Sequence, residues 1–181
     1  MAELAPAADP ALRAAMAADG DLVAGRRVRG CRAFACCRDD QVVAYGWLST
    51  GPEWIGEVGL EIRPGQGEAY IWNCLTLEPH RRQGRFRELL LGVAAAARAD
   101  GIQRLWIGSI DDLGARTLSG IGFTPVLRFA VRTLPWFRRL RVWGTEEADR
   151  ALVLAARRTL YAGGRPVLGG AVLGRPGRRR H

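Results

Sequence analysis

Apolar positions along the chain repeat with two different periods, and the changes between them predict the order of strands and helices. Residues 31–49 are typical of a β-hairpin, in which 31–37 is apolar and β-compatible, Asp39-Asp40 supplies the turn, and 41–48 is the return strand. Residues 57–62 mix apolar and acidic positions, which favours a half-buried strand. Residues 69–77 are almost all apolar or β-prone, which predicts a central strand.

A helical period follows the central strand. From residue 84 to 100 the apolar residues fall on one face of a helix, and Gly101 suits its end. The other predicted elements are a helix after Pro10 that stops at Gly20, a strand at 103–109, a short helix capped by Asp111 or Asp112 that ends near Gly120, a strand at 123–133, and a last helix from Thr145 to Tyr161. This order predicts an α/β protein with helices packed on a mixed sheet.

Length and composition narrow the class of protein. The chain has 181 residues, which suits one domain. It has no apolar run near the ~20 residues needed to span a bilayer, and its first ten residues do not resemble a leader peptide. We therefore expect a cytoplasmic protein with a single domain over residues 1–162. Residues 163–181 are rich in Gly, Pro and Arg, and we expect this tail to lack order.

The cysteines and histidines do not form a metal-binding pattern. The four cysteines (Cys31, Cys36, Cys37 and Cys74) include no C-x-x-C spacing, and His80 and His181 are the two histidines. Structural zinc needs about four such ligands at close spacings. We predict no metal site.

Positive charge is concentrated in the last third of the chain. All 27 basic residues are arginine, which excludes lysine chemistry. Residues 1–127 hold 14 arginines against 15 acids, whereas residues 128–181 hold 13 against 3. A nucleic-acid enzyme would place charge around its cleft, so a nucleic-acid partner is disfavoured. Residues 135–143 are interpreted as an edge strand before the last helix, with contact to an anionic membrane surface or to nucleic acid as the alternative.

The segment after the central strand has the features of a phosphate site. A short loop at 78–80 leads into Arg-Arg-Gln-Gly-Arg-Phe at 81–86, which opens the long helix. The main-chain N–H groups at a helix start bind anions, and Gly84 lets a bulky phosphate approach them. The adjacent arginines add charge. This arrangement predicts a diphosphate cradle.

Here the sequence resembles the GNAT superfamily of acyl-CoA-dependent N-acyltransferases. Their signature is Arg/Gln-x-x-Gly-x-Gly/Ala, which Arg81 and Gly84 match, while Phe86 departs from it at the sixth position. Asp111 stands where the family has Asn, and Gly122-Phe123 closes the segment. The resemblance covers about residues 31–127. It implies a mixed, mostly antiparallel central sheet with splayed central strands and flanking helices.

The resemblance also implies acetyl-CoA as cosubstrate. Its pantetheine would pair with the backbone of the central strand, and a backbone N–H near Leu77 would stabilise the oxyanion. The cofactor-binding residues implied are Cys74, Leu75, Thr76, Leu77, Arg81, Arg82, Gln83, Gly84, Arg85, Phe86 and Asp111.

The catalytic candidates come from strand alternation. Glu68, Tyr70 and Trp72 fall on one face of the central strand and Asn73 on the other. Glu68 is the predicted base, with Tyr70 shaping the same pocket, and burial against tryptophans is expected to raise the pKa of Glu68. Glu57 and Glu61 are alternatives, and all three could instead be a solvated strand face. Leu118 stands where many members carry a tyrosine acid.

The function expected is acyl transfer from acyl-CoA to a small-molecule or peptide amine by direct attack in a ternary complex. Trp47, Trp54, Tyr70 and Trp72 either line the acceptor pocket or belong to the core. Two other classes stay open: a CoA-binding protein without catalysis, and a basic-tailed protein that binds a membrane surface or nucleic acid. A monomer and a homodimer are both compatible with the sequence.

Overall fold

The computed structural model describes residues 1–133, 138–162, 164–167 and 171–174. Its strands and helices are, in chain order, β1 (Ala2–Glu3), α1 (Asp9–Met16), α2 (Leu22–Val28), β2 (Arg32–Arg38), β3 (Gln41–Ser49), β4 (Glu53–Ile55), β5 (Leu60–Ile62), β6 (Glu68–Thr76), α3 (Arg85–Ala99), β7 (Arg104–Ile107), α4 (Asp112–Ile121), β8 (Leu127–Thr133), β9 (Arg138–Gly144), α5 (Arg150–Arg158), β10 (Leu160–Ala162), β11 (Arg165–Pro166) and β12 (Ala171–Gly174). Short 3-10 turns lie at Pro6–Ala8, Ala17–Asp19 and Glu78–His80.

The chain forms two compact units. The first contains residues 1–52 and 64–109, and the second contains residues 53–63 and those from 110 onward. The predicted domain boundary at residue 162 stays a prediction.

The first unit is built on a five-stranded sheet in the order β1-β2-β3-β6-β7. The pairs β1/β2, β2/β3 and β3/β6 are antiparallel, whereas β6/β7 is parallel. The parallel pair is connected through α3, as a parallel crossover requires. The predicted mixed, mostly antiparallel sheet with flanking helices is confirmed.

Helices cover both faces of this sheet. Leu12 and Val23, from α1 and α2, are fully buried in one core cluster with Trp47 of β3. The apolar stripe of α3 (Leu89, Leu90, Val93 and Ala97) is also fully buried, and α3 packs on β2, β3 and β6. The helical period read from the sequence therefore marks the face of α3 that is buried.

The second unit holds two smaller antiparallel sheets, in the orders β11-β10-β5-β4 and β12-β9-β8. Asp111 Oδ1 accepts a hydrogen bond from Gly114 N (2.6 Å) and caps α4, as one of the two predicted caps. The last helix begins later than predicted. Asp149 caps it through Leu152 N (2.7 Å), whereas the Thr145 hydroxyl donates to Pro125 O.

The sequence prediction also differs from the structure at residues 57–62. The predicted strand at 57–62 is reduced to Leu60–Ile62, because a turn that includes Gly59 with φ 63° precedes it. In the tail, β11 pairs with β10 and β12 pairs with β9, and Val167 is 2% exposed. Residues 163, 168–170 and 175–181 lie outside the described residues, as do 134–137 of the predicted edge strand.

Within the described ranges, no helix combines the length and apolar character needed to cross a bilayer. The same residues contain no cluster of His, Cys, Asp and Glu that could hold a metal ion.

Candidate active site

Strand β6 carries a bulge in its second half. Its pairing with β3 runs Tyr45 to Leu75 and then Trp47 to Trp72, so Asn73 and Cys74 together face the single residue Gly46. Asn73 has φ 45°, which is left-handed backbone that Asn tolerates better than most residues.

Gly46 makes room for this bulge. A Cβ built at Gly46 would lie 2.7 Å from Cys74 Sγ and 3.3 Å from Leu89 Cδ2, the first of which is closer than atoms can approach. A side chain at position 46 would therefore push β3 away from the bulge or from α3.

Strands β6 and β7 separate at the bulge. Their parallel pairing covers Glu68–Ile71 against Arg104–Ile107 and ends there, while β6 continues to Thr76. Within the part of the chain that the structure describes, no strand pairs with residues 72–76 on the side away from β3. The splayed central strands that the sequence predicted are present, and this half of β6 offers main-chain groups to a ligand.

The main-chain groups that face this gap can be assigned from strand alternation. Leu77 N donates to Val43 O (2.9 Å), so its N–H points towards β3. Neighbouring residues of a strand direct their N–H groups to opposite sides, which places the N–H of Thr76 on the gap side. The N–H near Leu77 that faces the gap is thus that of Thr76, whereas the Leu77 N–H is bonded to Val43 O. The hydroxyl Oγ1 of Thr76 is buried without a hydrogen-bond partner among the described residues.

The loop after β6 forms a concave main-chain surface at the start of α3. Arg82 has φ 59° and Gly84, the residue before α3, has φ 75°. No side chain caps this helix start, so its first N–H groups remain available. A Cβ built at Gly84 would have no neighbour within 4 Å, so the surface is open to approach. These features fit an anionic group such as a diphosphate.

The side chains of the predicted cradle have defined contacts. Arg81 Nε donates to Thr76 O (3.2 Å), Gln83 Nε2 donates to Pro79 O (3.2 Å), and Arg85 Nη1 pairs with Glu88 (2.8 Å). Arg81 and Arg82 are exposed. The exposed arginines supply positive charge beside the open helix start.

A buried arginine, which sequence analysis missed, lies at the bulge. Arg26 of α2 is 5% exposed, and its guanidinium lies 4.5 Å from the ring centre of Trp72 and 5.1 Å from that of Trp47. Its Nη1 donates to Asn73 Oδ1 (2.7 Å). Asn73 therefore contacts the same group as Trp72, and the predicted opposite orientation of these two residues is wrong. The bulge breaks the alternation on which that prediction depended.

Glu68 lies at the other end of β6. Eight positions separate it from Thr76, a distance of roughly 25 Å along a strand. Its carboxylate accepts hydrogen bonds from Trp106 Nε1 (2.9 Å), Gly65 N (3.1 Å) and Arg104 Nη1 (2.5 Å). It therefore clamps β6 to β7 where the two strands are paired.

The expected direction of the Glu68 pKa is wrong. Partial burial acts to raise the pKa, but the hydrogen bonds from Trp106, Gly65 and Arg104 and the arginine charge outweigh it, so the pKa of Glu68 is lowered. A carboxylate with a lowered pKa is a weaker base, and this carboxylate is already engaged by three hydrogen-bond donors.

The other candidate residues are placed as follows. Tyr70 is buried on the paired half of β6, and Glu61 is held by both Nε and Nη2 of its neighbour Arg63. Trp54 is 63% exposed, and Leu118 is a buried leucine of α4. Burial raises the pKa of the Cys74 thiol to about 12, so this cysteine is protonated at neutral pH.

The chain is similar to a known protein family. The model of the acetyltransferase (GNAT) family matches residues 6–118. No curated protein matches the chain.

Solved structures share the fold. One is aminoglycoside N-acetyltransferase AAC(6')-Iy in complex with CoA, with a TM-score of 0.51, 12% identity, and coverage of 67% of this chain and 89% of that one. AAC(6')-Iy in complex with a bisubstrate analogue of CoA and monomethyl-acetylneamine has a TM-score of 0.52 and 13% identity, with 67% and 88% covered. An acetyltransferase of Trypanosoma brucei has a TM-score of 0.51 and 14% identity, with 74% and 94% covered.

Proposed function

Since this chain belongs to the acetyltransferase (GNAT) family, we propose that it moves an acetyl or other acyl group from acyl-CoA to an amine. The observation that carries the proposal is the half of β6 beyond Ile71, which is bulged at Asn73, paired on its β7 side with no strand of the described residues, and followed by the open helix start at Gly84. An extended chain that ends in a diphosphate would fit this path of main-chain donors.

Acyl-CoA, when bound, would supply the acyl group as a thioester. The residues proposed to hold its diphosphate are Arg81, Arg82, Gln83, Gly84, Arg85 and Phe86, through main-chain N–H groups and guanidinium charge. Cys74, Leu75, Thr76 and Leu77 are proposed to border its pantetheine. Asp111 was predicted to join them, but its carboxylate caps α4, so we assign it no contact with the cosubstrate.

The proposed reaction is direct attack of the amine on the thioester. Thr76 N–H is the proposed donor to the oxygen on which negative charge develops. A covalent route through the adjacent cysteine is disfavoured, because Cys74, with a pKa raised to about 12, has almost no thiolate at neutral pH. The leaving thiolate of CoA needs no strong acid, since a thiol has a pKa of about 8.5.

No side chain is assigned as the base. Glu68 is committed to Trp106, Gly65 and Arg104, and Glu61 is held by Arg63. We propose that the acceptor reacts from its neutral fraction or loses its proton to water. An acyl transfer of this kind speeds up as pH rises towards the acceptor's own pKa.

The proposed acceptor is a small-molecule or peptide amine. AAC(6')-Iy shares the fold and is named as an aminoglycoside N-acetyltransferase, so aminoglycosides belong among the amines to test. The decisive experiment incubates the full-length protein with acetyl-CoA and a panel of aminoglycosides, polyamines and peptides, and detects free CoA thiol.

The matched control is Gly84→Val. Thiol release that depends on both the amine and Gly84 would support the proposal. Binding of CoA without turnover on any amine would favour the alternative of a CoA-binding protein without catalysis. Absence of CoA binding to the folded protein would overturn the proposal.

A further inference from the structure

The β8–β9 ladder gathers arginines on one of its faces. Residues directly opposite each other in an antiparallel pair share a face. The pairs Arg128 with Trp143, Ala130 with Arg141, and Arg132 with Arg139 therefore lie together. We call the surface formed by Arg128, Arg132, Arg139, Arg141 and Trp143 the arginine face. It lies beyond residues 6–118, which the family model matches.

The opposite face of the ladder differs in character. It carries Leu127, Phe129, Val131, Leu140 and Val142 at alternating register positions, and the Thr133–Arg138 pair follows at the end of the ladder. Leu140 and Val142 are buried, at 4% and 1% exposure. The alternation fixes the register, because a slip by one residue would bury the arginines. The arginine face is thus the solvent side of a well-specified ladder.

The charge on this face is not balanced within the strands. Neither 127–133 nor 138–144 contains an acidic residue. Arg132 and Arg139 stand directly opposite each other, an arrangement of like charges that destabilises an isolated sheet. Asp112 Oδ1 lies 3.9 Å from Arg128 Nη1, and both side chains are exposed. A polyanion would offset this repulsion.

The shape of the face suits an extended chain of phosphates. On β9, Arg139 and Arg141 are two residues apart, which is about 6.6 Å, and on β8, Arg128 and Arg132 are four residues apart, which is about 13 Å. Guanidinium groups bind phosphate through paired N–H donors. Trp143 is 43% exposed beside them and offers a ring on which a base can stack. A cavity of ≈ 190 Å³ lies between Ala130, Arg132, Arg139 and Arg141.

From this placement we infer that the arginine face binds single-stranded nucleic acid through its phosphates, with Trp143 stacking on a base. The sequence argument against nucleic acid was that the positive charge lies outside the catalytic segment. The register of β8 and β9 shows that the charge forms a surface of its own, so binding here needs no link to acyl transfer. A membrane surface fits less well, because Trp143 is the one large apolar residue that β8 and β9 place on this face and insertion requires an apolar surface.

The test measures binding of a labelled oligouridylate of about 12 nucleotides to the full-length protein by fluorescence anisotropy, between about 50 and 200 mM salt. Four phosphate contacts predict a slope of log K against log salt of about −2.8. The variant Arg132→Gln/Arg139→Gln/Arg141→Gln should reduce the slope to about −0.7. Trp143→Leu should weaken binding about tenfold without changing the slope.

The matched control is Arg13→Gln/Arg38→Gln/Arg98→Gln, which removes the same charge from exposed positions of the first unit. It should keep the wild-type slope, and unfolding midpoints should confirm that both triple variants are folded. Equal losses in the two triple variants would overturn the inference, since net charge alone would explain them. Wild-type protein that ignores the oligonucleotide but binds vesicles with anionic lipid would also overturn it, in favour of a membrane surface.

Discussion

Substitution of Asn73 separates the shape of the β6 bulge from the hydrogen bond that supports it. The residue has φ 45°, which glycine adopts freely and which costs an alanine about 1–2 kcal/mol. Its Oδ1 accepts a hydrogen bond from the buried guanidinium of Arg26, and hydrogen bonds to charged groups contribute about 1.5–3 kcal/mol. Asn73→Gly removes the hydrogen bond from Arg26 but allows the left-handed backbone conformation at position 73. Asn73→Ala removes the hydrogen bond and also strains that conformation.

The two losses predict a definite order of stability. Asn73→Gly should lower the free energy of unfolding by about 1–2 kcal/mol, because relief of left-handed backbone offsets part of the lost bond. Asn73→Ala should lower it by about 3 kcal/mol, since the strain is added. At about 2–4 °C for each kcal/mol, these changes correspond to about 4 °C and 9 °C in Tm.

The KM for acetyl-CoA should depend on the backbone conformation of the bulge and not on protein stability alone. Asn73→Gly should keep a KM for acetyl-CoA within about twofold of wild type, and Asn73→Ala should raise it by about tenfold, as measured by thiol release. Asp40→Gly and Asp40→Ala are the controls, because Asp40 also has positive φ (60°) but lies in the hairpin turn. Equal KM values for Asn73→Gly and Asn73→Ala would refute the claim that the bulge shapes the site.

Three further outcomes are expected. Gly84→Val should abolish CoA binding in calorimetry, because a β-branched side chain is strained at φ 75° and fills the open helix start. Unchanged affinity for CoA in a folded variant would contradict the assignment of the diphosphate site. The lowered pKa of Glu68 means that its ionised form adds stability above the ordinary pKa of 4.5, and this stability is lost as pH falls through the lower folded value. Glu68→Gln should therefore lower Tm at pH 7 more than at pH 3 while leaving the acid limb of the pH profile of kcat/KM unchanged. Loss of that limb in the variant would instead support Glu68 as the catalytic base. Truncation after residue 163 should lower Tm by several degrees because it removes the buried side chain of Val167, whereas truncation after residue 174 should not; equal Tm values for wild type and both truncated chains would show that the whole tail is dispensable.

The sequence was most informative where local pattern and final structure agree. The helical spacing of Leu89, Leu90, Val93 and Ala97 identified the buried stripe of α3, because that spacing exists to bury one face of a helix. The apolar run at 69–77 corresponds to β6, which lies between β3 and β7 and is covered by helices. Gly84 was placed at the helix start by its motif, and its φ of 75° explains why glycine is needed there.

Tertiary contacts determine the direction of the Glu68 pKa shift. From the sequence we expected Glu68 to lie beside tryptophans and burial to raise its pKa. Its actual partners, Trp106 and Arg104, are 38 and 36 residues away and reach it only because β6 and β7 pair in parallel at that end. No local pattern specifies that register, so the donors that lower the pKa could not be read from the sequence.

The bulge, in contrast, left two signals in the sequence that were not combined. Gly46 interrupts an otherwise apolar strand, and an isolated glycine inside a strand marks a bulge or a close approach of backbone. Asn73 interrupts the facing strand, and asparagine is the residue, after glycine, that best tolerates left-handed backbone. Pairing these two positions predicts a bulge opposite Gly46, which breaks the alternation of β6 between Trp72 and Leu75. Such a bulge places Asn73 on the same side of β6 as Trp72, where Arg26 contacts both residues.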